Sequence, residues 1–203
     1  VLYCNKDLFS KAGVKIPETY DDLLASCKQL SSKGILPVTI GSKDAWNSCF
    51  VYEALALREV GAQKINDWLS GNGKFDDPGF KDAAAKVQEL QAAGAFGKNY
   101  MGTSSDESDS AYASGKAAMR LMGSWYANNI WTGKDSIQSV KDNTVAVKLP
   151  MIAGKGNPTD FCGGFVESFW VNKSTNNPKQ AEDFMKYIND EMGVGAAATS
   201  SGF

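Results

Sequence analysis

The sequence predicts an α/β fold, because strand-like segments alternate with amphipathic helical segments along the chain. The clearest strand is the apolar run Ala117–Met122, which ends at Gly123-Ser124 and is followed directly by Trp125 and a helix-like segment. In open α/β folds, ligands bind in the crevice at the carboxyl ends of strands, beside unpaired N–H groups of helix N-termini. We therefore expect a binding site at this strand-to-helix junction.

The first half of the chain predicts two strands and two helices, each helix being ended by a glycine. The predicted elements are a strand that begins at Val1, a helix from Thr19 to Gly34, a strand over Ile35–Ile40 and a helix from Trp46 to Val60. Thr19 and Asp22 stand three residues apart, which is the spacing of a capping box at a helix N-terminus. Gly61 is expected to end the second of these helices.

The second half continues the alternation. The predicted elements are a helix from Asp77-Pro78 to Gly94, a short helix over Ser108–Ala113, strands over Ala117–Met122, Thr144–Leu149 and Phe165–Val171, and a last helix that begins at Pro178. Between them, Met151–Thr159 is rich in glycine and proline. This segment is the best candidate for a linker between two parts of the fold.

Composition restricts the classes of partner. The chain has 203 residues, 43% of them hydrophobic and 22% charged, as in globular proteins. A formal net charge of −2 gives no basic field, so we expect no nucleic-acid partner. No apolar run approaches the ~20 residues that span a bilayer. Because the chain begins within a strand-like run and without methionine, we expect a piece of a longer protein.

The absence of histidine restricts the chemistry. Ser–His and Cys–His catalysis and ordinary zinc hydrolysis lose their usual base or ligand, so we expect no metal and no cofactor. The four cysteines, Cys4, Cys27, Cys49 and Cys162, lack the paired spacing of a zinc site or redox dithiol. They are either free thiols that pack as small hydrophobic residues, or they include one disulfide of an exported protein.

Trp46 and Trp125 are the main candidate binding residues. Each follows a strand and a turn of small residues, and each heads a helix. A flat aromatic face at such a rim suits the C–H faces of a pyranose ring. The alternative for Trp125 is an interior residue that caps its strand, since large aromatic residues are mostly buried.

Polar and small groups complete the predicted site. Asp44 precedes Trp46 and Asn128 follows Trp125, and their side chains can bond to sugar hydroxyls. Asp44 is alternatively a helix cap or a solvated loop residue. The pair Gly163-Gly164 lets backbone amides approach a ligand closely.

Motifs along nearly the whole chain resemble those of the extracellular solute-binding proteins of carbohydrate ABC transporters, the family that includes maltose-binding protein. The most specific motif is Gly115-Lys116-Ala117-Ala118-Met119 followed by Gly123-Ser124-Trp125. The other matching residues are Tyr3, Asn5-Lys6-Asp7-Leu8-Phe9, Ala12-Gly13, Pro17, Thr19, Asp22-Leu23, Leu30, Gly34-Ile35, Pro37, Phe75-Asp76-Asp77-Pro78, Phe80, Asn177-Pro178, Ala181 and Phe184. Cys4, Tyr20 and Cys162 depart from the family pattern.

The resemblance implies the two-lobed fold of type II periplasmic binding proteins, in which crossing strands join two α/β lobes around a cleft. It places most of the C-terminal lobe in residues 1–143. Residues 144–203 would then hold a returning crossing strand, a loop and part of the N-terminal lobe.

The resemblance also implies roles for individual residues. The sugar-stacking aromatic residue of the family falls on Trp125, and a second aromatic residue falls on Trp46. The hinge-side glycines fall on Gly163 and Gly164. Arg120 is expected to pair with Asp44 or ligand, or to form a structural salt bridge.

The function implied is capture of a sugar or oligosaccharide without catalysis, followed by delivery to a membrane permease. The expected location is extracellular or periplasmic, with a lipid anchor in the full-length protein. One alternative is a glycoside hydrolase that uses Asp44 and Glu167, since such enzymes need two carboxylates about 5–10 Å apart. Another is a relative that binds sugar for a signalling partner.

Overall fold

A computed structural model, which describes residues 1–163 and 170–189, places a four-stranded mixed sheet at the centre of the molecule. Its strands are Leu2–Asn5 (β1), Leu36–Thr39 (β2), Ala117–Leu121 (β3) and Thr144–Val147 (β4). The spatial order is β2-β3-β1-β4, with β2 and β3 parallel and β1 antiparallel to both of its neighbours. Pro37, which cannot donate to a ladder, lies in the edge strand β2.

Helices surround this sheet, so the predicted α/β class is confirmed. The helices of the described residues are Lys6–Ala12 (α1), Tyr20–Ser32 (α2), Trp46–Leu69 (α3), Pro78–Ala92 (α4), Ser105–Ala113 (α5), Tyr126–Trp131 (α6), Gln138–Asn143 (α7) and Pro178–Asn189 (α8). Within the described ranges, none of these helices combines the length and the apolar character needed to cross a bilayer. The predicted strand over 165–171 falls largely outside the described residues.

Side-chain caps explain where two helices begin. The Thr19 hydroxyl accepts from the Asp22 N–H at 3.1 Å, and the Asp22 carboxylate accepts from the Thr19 N–H at 3.0 Å, which confirms the predicted capping box. Ser104 and Glu107 form the same reciprocal pair at the start of α5. This second box starts α5 at Ser105, three residues before the predicted beginning.

Helix α3 consists of two helical segments joined at a kink. Gly61 has φ 78° and ψ 163°, which are not helical values, so the first segment ends at Gly61 as predicted. The second segment, which continues to Leu69, was not predicted. The kink leaves the Ala62 N–H free to bond the Asp160 carboxylate at 3.2 Å.

Apolar side chains from the sheet and helices form two core clusters. The larger cluster packs α1, α2, α3 and α4 against the sheet. The smaller one consists of Tyr3, Tyr112, Ala117, Met122, Tyr126, Ile130 and Val140, and it supports α6. All four cysteines are free thiols, and burial raises the pKa of Cys4 and of Cys27 to about 12. No disulfide joins any two of these four cysteines, and Cys49 and Cys162 are exposed rather than packed as small hydrophobic residues.

The segment after β4 is anchored by the Arg58 side chain of α3. Its guanidinium donates to the carbonyl oxygens of Leu149, Asn157 and Asp160 at 3.3, 3.2 and 2.9 Å. A Cβ at Gly156 would lie 2.7 Å from the Arg58 carbonyl oxygen, so this loop also approaches the helix backbone closely. We call residues 149–160 the anchored connector; it contains the loop predicted as a linker.

Replacing Arg58 with methionine is expected to lower the free energy of unfolding by about 2–4 kcal/mol, because three carbonyl acceptors lose a charged donor. Arg58 is only 3% exposed, so water does not replace the donor freely. Chemical denaturation followed by circular dichroism measures the change. Lys64→Met is the control, since its ion pair with Asp77 is exposed and should contribute less than about 1 kcal/mol. Equal stabilities of the two variants would contradict the anchoring role.

Candidate functional site

The candidate site lies at the carboxyl ends of the parallel strands β2 and β3. Thr39 pairs with Arg120, so the two strands end at the same edge of the sheet. After β2 the chain forms a 3₁₀ turn, Ser42–Asp44, and enters α3 at Trp46. After β3 it passes through Gly123 and Ser124 and enters α6 behind Trp125. Parallel pairing therefore brings the two predicted tryptophan loci to one edge.

A third aromatic ring connects the two tryptophans. Phe50 lies one helical turn after Trp46, and their ring centroids are 5.4 Å apart in an edge-to-face arrangement. The Phe50 ring also meets the Trp125 ring edge-to-face at 6.1 Å. We call these three residues the aromatic row. Phe50 was not among the predicted site residues, although its spacing of four residues from Trp46 on a predicted helix was the available signal.

The position of the Trp125 ring explains the glycine in the Gly-Ser-Trp motif. A Cβ at Gly123 would lie 2.1–2.4 Å from three carbons of this ring, so the indole lies directly over Gly123. The Tyr3 hydroxyl holds the same turn by donating to the carbonyl oxygens of Gly123 and Ser124 at 3.1 and 3.3 Å.

Both tryptophans retain solvent-accessible surface. Trp46 is 44% exposed, and Trp125 is half-buried beside the smaller core cluster. Trp125 thus packs partly on the core, as expected if it were an interior residue that caps its strand. The core does not enclose the ring, however, and part of the ring stays accessible to solvent.

A buried polar network fixes the strand ends beneath the aromatic row. The fully buried Arg120 guanidinium donates to the Asp109 carboxylate at 2.8 and 3.0 Å and to the Asn47 side-chain oxygen at 2.6 Å. It also donates to the Thr39 carbonyl oxygen at 3.3 Å. Burial raises the pKa of the Asp109 carboxyl, and the positive charge of Arg120 opposes that shift. Of the roles expected for Arg120, the structural salt bridge is the one formed.

Asn47 extends this network toward a second helix. Its amide nitrogen donates to the Ser105 hydroxyl at 2.9 Å, at the N-terminus of α5. The Ser105 N–H in turn donates to Asp44 Oδ2 at 2.5 Å. One carboxylate oxygen of Asp44 therefore accepts from the first N–H of α5, and Arg120 is not its partner. Asp44 does not cap the helix that follows it, because α3 begins without a side-chain cap.

The structure gives the other predicted residues different surroundings. The Asn128 side-chain oxygen accepts from the Thr132 hydroxyl at 2.6 Å, within one turn of α6. Gly163 is exposed, and a Cβ there would meet nothing within 4 Å. Gly164 and Glu167 lie outside the described residues, so the expected carboxylate pair has only Asp44 in the described part.

The chemistry available at this edge is that of apolar faces beside polar groups. Among residues 1–163 and 170–189, no three Cys, Asp or Glu side chains are grouped so as to hold a metal ion. The aromatic row offers flat surface, and Asp44 and Asn128 flank its two tryptophans in the sequence. Such a combination suits a ligand with C–H faces and a hydroxyl rim.

Comparison with known proteins identifies relatives over most of the chain. The family described as bacterial extracellular solute-binding protein matches residues 1–194. The multiple sugar-binding protein of Streptococcus mutans is 25% identical over 196 residues, which cover 92% of this chain and 44% of that protein.

Solved structures extend the comparison to the fold. One, from work on xylan utilization by the thermophilic bacterium Caldanaerobius polysaccharolyticus, is 39% identical, with a TM-score of 0.87 over 92% of this chain and 47% of that one. The solute-binding protein RafE in complex with raffinose is 24% identical, with a TM-score of 0.71 over 99% and 52%. This chain spans about half the length of these proteins.

These matches confirm the predicted fold class, since the structures matched are two-lobed α/β solute-binding proteins. The family match extends over almost all of the 203 residues, from 1 to 194. This chain belongs to the family of bacterial extracellular solute-binding proteins.

Proposed function

We propose that this chain forms part of the substrate-binding component of an ABC sugar importer. The protein captures a sugar or oligosaccharide in a cleft between two lobes and delivers it to the membrane permease. The observation that carries this proposal is the aromatic row at the joined carboxyl ends of β2 and β3. In a family of extracellular binding proteins, such a row is a stacking platform for sugar rings.

Within the proposal, residues 1–143 supply most of the C-terminal lobe. Residues 144–203 supply the returning crossing strand, the loop and part of the N-terminal lobe. Support comes from the anchored connector, which leaves β4 and runs along α3 before the chain reaches Gly163. The protein works outside the cytoplasmic membrane and is held there by a lipid anchor.

The proposed binding residues act in three ways. Trp46 and Trp125 stack on sugar faces. Phe50 packs edge-to-face between the two indoles and keeps them apart. Asp44 offers its second carboxylate oxygen to a hydroxyl, since one oxygen is occupied by the Ser105 N–H. Asn128 offers its amide group, and Gly163 and Gly164 offer backbone amides from the hinge side.

Xylan-derived oligosaccharides are the first ligands to test, because the 39% identical protein was solved in work on xylan utilization. We expect the complete two-lobed protein to bind xylotriose in isothermal titration calorimetry and to return it unchanged in chromatography. Raffinose and maltotriose serve as comparison sugars in the same titration. Release of shorter sugars would favour the hydrolase, and no heat with any sugar would contradict the proposal.

Replacing Trp125 with alanine in the two-lobed protein should weaken sugar binding by about 1–3 kcal/mol, because a stacking face is lost. Trp46→Ala should act in the same direction. Calorimetric titration of the tightest-binding sugar measures the loss, and thermal unfolding checks that the fold persists. Trp68→Ala is the matched control, since Trp68 stacks on Phe75 and Phe80 away from the aromatic row.

Gly123→Ala tests the same contact without removing the indole. Its methyl group would overlap the ring of Trp125, so the ring must move and affinity should fall. Wild-type affinity in both Trp125→Ala and Gly123→Ala would show that Trp125 does not contact sugar.

A further inference from the structure

Helix α3 presents a carboxylate on the same face as the aromatic row. Trp46, Phe50 and Glu53 are spaced by four and three residues, so they lie along one side of the helix. The ring contact between Trp46 and Phe50 confirms this alignment for the first two. Tyr52 faces a different way, since its hydroxyl donates to the Phe80 carbonyl oxygen of α4 at 3.3 Å.

Glu53 differs from the other acidic side chains around this helix. Asp44 accepts from the Ser105 N–H, and Asp109 pairs with Arg120. The buried Glu59 carboxylate pairs with Lys86 and Lys155. The Glu53 carboxylate is exposed and makes no hydrogen bond or ion pair with any residue of 1–163 or 170–189. Its acceptor capacity is therefore available to a ligand.

The charge of Glu53 acts on Cys162, which follows the anchored connector in the chain. Burial raises the pKa of the Cys162 thiol, and the negative charge of Glu53 adds to this shift. Cys162 directly precedes Gly163, which we have placed at the hinge side of the cleft.

We propose that Glu53 is a further sugar-contacting residue, whose carboxylate accepts hydrogen bonds from hydroxyls of the sugar stacked on the aromatic row. A carboxylate has two oxygens and can accept from two neighbouring hydroxyls at once. Glu53 therefore selects sugars that carry adjacent free hydroxyls toward the hinge. This inference rests on the proposed function, because it assigns a contact within the same cleft.

The test compares Glu53→Ala and Glu53→Gln with the wild-type two-lobed protein, using xylotriose, raffinose and maltotriose as probes in calorimetry. For the probe that the wild type binds most tightly, Glu53→Ala should raise the dissociation constant by about 10- to 100-fold, as for loss of a charge-assisted hydrogen bond. Glu53→Gln should raise it by less, because one carbonyl acceptor remains. The melting temperature without sugar should stay at the wild-type value, since Glu53 has no hydrogen-bond or ion-pair partner among residues 1–163 and 170–189.

Glu18→Gln is the matched control, because Glu18 is also exposed but precedes α2, away from the aromatic row. It should leave the dissociation constant unchanged. If the wild type binds a probe and Glu53→Ala binds it equally well, this inference is overturned while the proposed function stands. If the wild type binds none of the probes, the proposed function and this inference are both contradicted.

Discussion

The parallel pairing of β2 with β3 is the constraint on which the site depends. Because Thr39 and Arg120 are register partners, two segments far apart in the chain end at one edge of the sheet. The Arg120 guanidinium secures this edge from inside by bonding Asp109, Asn47 and the Thr39 carbonyl. A buried guanidinium of this kind needs all of its partners, so the strand ends are held together tightly.

Next to this network, a glycine and an intervening aromatic ring determine how the two tryptophan side chains pack. Gly123 leaves the space that the Trp125 ring occupies, and Phe50 fills the gap between the two indoles. The result is a row that is partly supported by the core and partly open to solvent. An apolar surface that is already held in place costs little conformational entropy when a ligand binds, which supports the proposed stacking of a sugar face.

Local patterns in the sequence predicted much of the fold. The capping box at Thr19 and the Gly-Ser-Trp junction were predictable because each depends on neighbouring residues. The helical segment that follows Gly61 was not, and its Trp68 packs on Phe80, a contact that lies outside the local pattern. The partner of Asp44 was missed for the same reason, since Ser105 is 61 residues away in the chain. The proposed contacts of both tryptophans with sugar remain predictions.

The most direct test of the central claim is nuclear magnetic resonance of the indole N–H groups while xylotriose is added to the two-lobed protein. This chain contributes five tryptophans, and the signals of Trp46, Trp68 and Trp125 can each be assigned by substitution. The account predicts that the signals of Trp46 and Trp125 shift with added sugar, whereas that of Trp68 stays in place. A titration in which sugar binds but neither of those two signals moves would contradict it.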